Sequence, residues 1–349
     1  MSATDLFLSL TPEKVLDAVD ASGLHCNPVC YALNSFENRV YDIELEDRSH
    51  VVAKFYRPER WTEAQILEEH QYLADLVLSE VPVCAMRPFP DGTTLKKIDH
   101  IYYCVADRRG GRAPEELSDE QVERLGMLAA RLHNVGAGRD APHRLRLNAD
   151  NYIRQHLTWF AAHGTIPKHL EARYIGAASA IADIVDARME GVATHRIHGD
   201  FHLGNLLYRD GRINALDFDD MAVGPAVQDL WLLLPGRDAV TRRHHEVFLE
   251  AYEQLRAFDR TTLSLIEPLR GLRYIHYAAW LARRWHDPAF PATWPHFGTE
   301  AYWEQETADL EDQLRICRGG EDRYQSAPSD DEGALEPKDY FWDMDDTSK

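Results

Sequence analysis

The sequence predicts an α+β fold in two lobes, a small antiparallel β-sheet lobe carrying one helix, followed by a mainly helical lobe. Three observations lead there. At 349 residues the chain exceeds the roughly 250–300 at which a single core stops growing. Between residues 29 and 106, short runs rich in β-branched and aromatic residues alternate with turn residues. From Ser118 onward, apolar residues recur at helical spacing instead.

The elements follow in order. Thr11 and Pro12 open a helix over 11–22, an N-cap followed by proline at the first helical position, with Val15, Leu16 and Val19 on one face. Strands are expected at 29–35, 40–44 and 51–55. A helix starts at Thr62 with Gln65 in the capping-box position. Strand-like runs at 93–98 and 100–106 complete a first lobe over 1–106. Residues 107–117, with Gly110, Gly111 and Pro114, read as a linker. Ser118 and Gln121 form a second capping box, and Val122, Leu125, Ala129 and Leu132 share a helix face. Helices over about 168–188, 240–257, 262–285 and 299–316 fill the second lobe, 118–318, while 146–152 receives no assignment. Residues 319–349 are polar and acidic and read as a disordered tail, with ten acids against three bases from 321 on.

Composition excludes several classes. A net charge of −20 argues against nucleic acid, whose binders must neutralise phosphates with Lys and Arg. No apolar run approaches the ~20 residues of a membrane span, and the polar start suggests no signal sequence, so a cytoplasmic protein is expected. Cys26, Cys30, Cys84, Cys104 and Cys317 are odd in number and lack a C-x-x-C pair, which fits reduced thiols.

Residues 195–220 carry the chemistry. Asp200 precedes Asn205 by five positions, and Asp217 follows beyond a hairpin turned at Asp210-Gly211. Phosphoryl transfer needs this set. Asp200 accepts or orients the acceptor hydroxyl, while Asn205 and Asp217 offer hard oxygen ligands to Mg²⁺. A zinc site built on His195, His198, Asp200 and His202 is disfavoured, because no further Cys/His cluster completes it. In the first lobe, Lys54 interrupts the apolar strand Val51–Phe55, and Glu68 or Glu69 on the next helix is its expected partner, with Glu69 chosen.

The run His198-Gly199-Asp200-x-His202-x-x-Asn205 with Asp217 resembles the catalytic loop and metal aspartate of the aminoglycoside-phosphotransferase-like branch of the protein kinase superfamily. Further runs at 34–41, 54–61, 224–231 and 280–291 resemble a group of bacterial stress-response kinases within it, in order over about residues 5–315. The resemblance implies a protein-kinase-like fold, ATP and Mg²⁺ as cofactors, Ser/Thr of a protein as acceptor and autophosphorylation; a monomer is expected besides. It also implies that Ser35, in a turn lacking the usual G-x-G-x-x-G, meets the phosphates together with Lys54, and that Cys104 and Ala106 belong to the hinge facing adenine. Asp200 and Asp217 would be catalytic. Three points stay open here. His202 either touches phosphate or packs. Asp219, where kinases carry Gly, either adds charge to the metal site or binds a structural group. The aromatic and arginine-rich stretch 274–294 is either core or an acceptor rim. The rival readings are a kinase of small amino alcohols or aminoglycosides, and a catalytically dead nucleotide-binding scaffold.

Overall fold

The computed structural model describes residues 3–114 and 116–319, so the expected disordered tail lies, beyond Gly319, outside the described residues. Helices α1 (Ala3–Leu8) and α2 (Pro12–Asp20) precede strands β1 (Cys26–Leu33), β2 (Arg39–Leu45) and β3 (His50–Phe55). Helix α3 (Glu63–Leu78) comes next, then β4 (Lys96–Ile98) and β5 (Ile101–Asp107). The five strands form one antiparallel sheet in the order β1-β2-β3-β5-β4. One face buries Ile43, Val51, Ala53 and Phe55 against Val15 and Val19 of α2. The other sets Tyr56 and Cys104 against Ile66 of α3. Both predicted capping boxes are present, so each helix starts where its side chains satisfy the first free N–H groups.

The second part comprises α4 (Asp119–Gly136), α5 (Gln155–His163), α6 (Lys168–Met189), α7 (Val227–Leu233), α8 (Ala239–Glu253), α9 (Ile266–Arg284), α10 (Ala289–Thr293) and α11 (Glu300–Cys317). Between α6 and α7 lie two small ribbons. In one, β6 (His195–Ile197) pairs with β9 (Ala222–Gly224); in the other, β7 (Leu206–Arg209) pairs with β8 (Arg212–Ala215). The helical core is anchored by the fully buried Tyr174, Trp231, Tyr252 and Trp303, and it takes in Tyr72, Leu73 and Leu76 of α3. Helix α3 thus touches both cores. Among the described residues no helix is long and apolar enough to cross a membrane.

Some expected boundaries move. The run expected as a strand over 93–98 shortens to three residues, because Thr93 turns back through its N–H and hydroxyl onto Asp91. The unassigned stretch 146–152 bridges β9 through Arg146 and Val223, then enters a wide π turn, Asp150–Arg154, that runs directly into α5. The linker is tied down: Arg112 and Tyr208 exchange backbone hydrogen bonds of 3.1 and 2.8 Å, adding a residue pair to the β7–β8 ribbon.

Candidate active site

The catalytic segment is held from behind by one carboxylate. Asp229, on α7 and fully buried, accepts the N–H groups of His198 and Gly199, each at 2.9 Å, and also meets His133 Nε2 at 2.9 Å. Burial would raise its carboxyl, but His133 and these backbone donors hold it below the usual range. Gly199 has φ +84°, and a Cβ there would sit 2.3 Å from the Asp220 carbonyl oxygen, so only glycine fits. His198 donates from Nε2 to the Leu216 carbonyl at 2.7 Å. The Leu216 N–H donates to the Asn205 carbonyl at 2.9 Å, which folds Asp217 back beside Asn205.

Asp200 lies within this frame. Its Oδ1 accepts from Arg273 on α9 at 2.9 Å, and its Oδ2 is 3.2 Å from His202 Nε2. Burial alone would raise its carboxyl; His202 and Arg273 outweigh that and hold it well below the ordinary value, so it is a carboxylate at neutral pH. His202, 4% exposed, thus faces the Asp200 carboxylate and the Asn205 amide rather than simply filling space. The Asn205 amide nitrogen donates to the Asp200 carbonyl at 2.9 Å, which turns its amide oxygen the other way.

Across the cleft, the Lys54 ammonium lies 3.3 Å from Glu69, 3.2 Å from Asp217 and 3.1 Å from Asp219. Burial opposes its charge, but Asp219, Glu69 and Asp217 together raise its pKa well above the normal lysine value. Glu68 points elsewhere and accepts the N–H groups of His143 and Arg144. Asp219 is a structural group: it is buried, pairs with Lys54 and Arg60, and its carbonyl accepts from Arg144. Asp217 keeps half its side chain exposed to the cleft, at φ +50°.

The turn joining β1 and β2 is anchored by long-range contacts. Ser35 Oγ accepts the Asn38 N–H at 3.3 Å, and the Phe36 and Glu37 carbonyls accept from Arg57. The Glu37 carboxylate takes Arg57 at 3.2 Å, Arg284 at 2.7 Å and the Trp280 indole N–H at 2.6 Å. Phe36 packs on Trp294 with ring centroids 4.8 Å apart. Of the two alternatives left open for this stretch, Arg284, Trp280 and Trp294 take the packing role, since they tie down this turn. The hinge placement also shifts. Cys104 sits inside β5, paired with Lys54, its thiol 3.7 Å from Tyr56 Oη. The Val105 carbonyl already accepts from the Arg87 N–H. Ala106 lines the cleft, and the chain leaves the sheet only after Asp107.

These groups surround a cleft of about 580 Å³. On one side Leu33, Val40 and Val52 of the sheet line it together with Leu207 of β7 and Leu216 just past β8, an apolar wall of the kind a nucleotide base packs on. On the other, the Asp217 carboxylate and Asn205 amide form a hard-oxygen donor pair of the kind Mg²⁺ takes, so the residues present fit that ion. Sequence reasoning missed Arg273 and Arg60. Their signal was a lone arginine on the apolar face of α9 and an Arg in the turn before α3, and neither spacing names a partner.

A family model described as the phosphotransferase enzyme family matches residues 31–272. Stress response kinase A of Escherichia coli strain K12 is 42% identical over 313 residues, covering 89% of this chain and 95% of the relative. The serine/threonine protein kinase RdoA of Salmonella typhimurium strain LT2 is 40% identical over 311 residues, covering 89% and 94%. Among solved structures, the amicoumacin kinase hAmiN in complex with AMP-PNP, Ca²⁺ and Ami superposes with a TM-score of 0.69 at 20% identity, over 88% of this chain and 96% of that one. A microcompartment-associated aminopropanol kinase gives 0.65 at 18%, over 89% and 97%. Fold, site geometry and these likenesses agree: the chain belongs to the phosphotransferase enzyme family, alongside the stress response kinase A group, and has its two-lobed protein-kinase-like fold.

Proposed function

We propose that this chain is an ATP- and Mg²⁺-dependent kinase that phosphorylates Ser/Thr of proteins, itself included, in a stress response. One observation carries the choice of acceptor. Each carboxylate lining the described cleft already faces a cation: Glu37 faces Arg284, Glu69 and Asp217 face Lys54, Asp107 faces Arg87, Asp200 faces Arg273 and Asp220 faces Arg60. A polycationic acceptor such as an aminoglycoside needs several uncommitted carboxylates, and here even the half-exposed Asp217, which shares Lys54 with Glu69, is already engaged. The printed name of the Salmonella relative, a serine/threonine protein kinase, supports the same reading.

In this reading the lobes 1–106 and 118–318, joined by 107–117, hold the nucleotide between them. Lys54, kept in place by Glu69, and the Ser35 turn meet the phosphates, and Cys104 and Ala106 line the base slot. Asn205 and Asp217 hold Mg²⁺, which when bound neutralises charge on the transferring phosphate. Asp200 orients the acceptor hydroxyl and takes its proton late in transfer. The test incubates pure protein with labelled ATP, with and without Mg²⁺, alone, with dephosphorylated casein, and with a panel of amino alcohols and aminoglycosides. Label is expected on protein only, and only with Mg²⁺. Label on an amino alcohol or aminoglycoside but on no protein overturns the acceptor assignment, and transfer unaffected by chelation overturns the metal.

A further inference from the structure

Two histidines outside the catalytic loop stand in a hydrogen-bonded chain that ends at the cleft. Arg283 donates to His156 Nδ1 at 3.3 Å, and His156 Nε2 lies 2.9 Å from His276 Nδ1. An arginine only donates, so His156 Nδ1 is an acceptor and its single proton is on Nε2. That proton goes to His276 Nδ1, which must then accept. His276 is left with its proton on Nε2. Burial, followed by neighbouring His156, Arg273 and Arg284, holds His276 well below the normal imidazole value; burial and then Arg283 lower His156 to about 4. Both rings are therefore neutral at pH 7, and the order of donors fixes one tautomer.

His276 lines the cleft, and its Nε2 has no hydrogen-bond partner among the described residues. It stands one helical turn after Arg273 on α9, and residues so spaced lie about 5–6 Å apart on one helix face. Arg273 itself touches Asp200. The Tyr152 ring, 4.9 Å from the imidazole, backs it from the other side. The cleft thus presents, beside the carboxylate that receives the acceptor hydroxyl, a neutral N–H of fixed direction. Within this chain the Nε2–H of His276 is the donor left facing the cleft, and a ligand oxygen is the partner it can take there.

We propose that His276 recognises the acceptor, donating from Nε2 to a carbonyl oxygen next to the acceptor hydroxyl, as the main chain of a Ser or Thr provides, with His156 and Arg283 holding its tautomer. This rests on the protein-acceptor reading above. The test measures steady-state transfer from ATP to dephosphorylated casein by the full chain, with folding of every variant checked by thermal melting. His276→Leu is expected to raise the KM for casein ~3–10-fold, the size of one hydrogen bond, while the KM for ATP stays unchanged. His276→Gln, whose amide N–H replaces Nε2–H, restores it to within about twofold. His156→Phe, which leaves the tautomer unheld, raises the casein KM as well. An active wild type with a casein KM unmoved by His276→Leu overturns this inference alone, as does a parallel rise in the KM for ATP or no recovery with Gln. A wild type inert towards casein overturns the protein-acceptor reading and this inference with it.

Discussion

Two loops meet in the cleft, and they are held in different ways. The loop of His198 to Asn205 hangs from Asp229 through main-chain N–H groups, within one lobe and out of water. The turn of Asn34 to Asn38 is held by side chains reaching across the molecule: Glu37 onto Arg284 and Trp280, and Phe36 onto Trp294. The first arrangement fixes atoms that must not move during transfer. The second ties the turn at the mouth of the cleft to the relative position of sheet and helices.

Substitutions that break one loop and spare the other sharpen this contrast. Asp200→Asn is expected to lower transfer ~10²–10⁴-fold with the KM for ATP little changed, read by steady-state kinetics. Asp229→Asn removes the charge that answers three donors, and about 3 kcal/mol of stability is expected to go with it in chemical denaturation, together with most activity. Glu37→Gln should raise the KM for ATP ~3–10-fold and spare kcat, because it loosens only the turn. Its pH signature has a defined sign. Burial would raise the Glu37 carboxyl, yet Arg60, Arg284 and Arg57 pull it from 4.5 to about 2. Wild type should therefore exceed the Gln variant in stability at every pH above 4.5, and the gap should fade as pH falls towards 2. Ser35→Ala is expected to change the KM for ATP by no more than about threefold, since its hydroxyl makes one 3.3 Å contact from the Asn38 N–H.

Much of this was legible because it is local. Thr62 with Gln65, and Ser118 with Gln121, specify helix starts within four residues, and Asp200, Asn205 and Asp217 lie within one segment whose turn brings them together. Lys54 and Glu69 are one strand and one helix apart, and at 3.3 Å they form the expected pair. What stayed hidden depends on chain segments far apart. Arg273 reaches Asp200 across 73 residues, and Arg60 reaches Asp219 across 159. No periodicity encodes such partners, since a single arginine on a helix reads the same whether it faces water or a buried carboxylate. The stretch around Trp280 and Arg284 was readable as unusual but not in its direction, because only the packing of α9 against the sheet turn decides which way it faces.

The stitched pair of Arg112 and Tyr208 limits where a swing between the two lobes could be centred. A swing of one lobe about residues beyond Arg112 would have to tear two backbone hydrogen bonds or drag the β7–β8 ribbon, and Asp217 with it. Any such axle would then lie in the few residues between the end of β5 at Asp107 and Arg112. Gly111, at φ +152° and so near Leu207 that a Cβ on it would sit 2.9 Å from the leucine Cβ, would give such an axle its swivel, and the proposed magnesium ligands Asn205 and Asp217 would stay on the side of the ribbon.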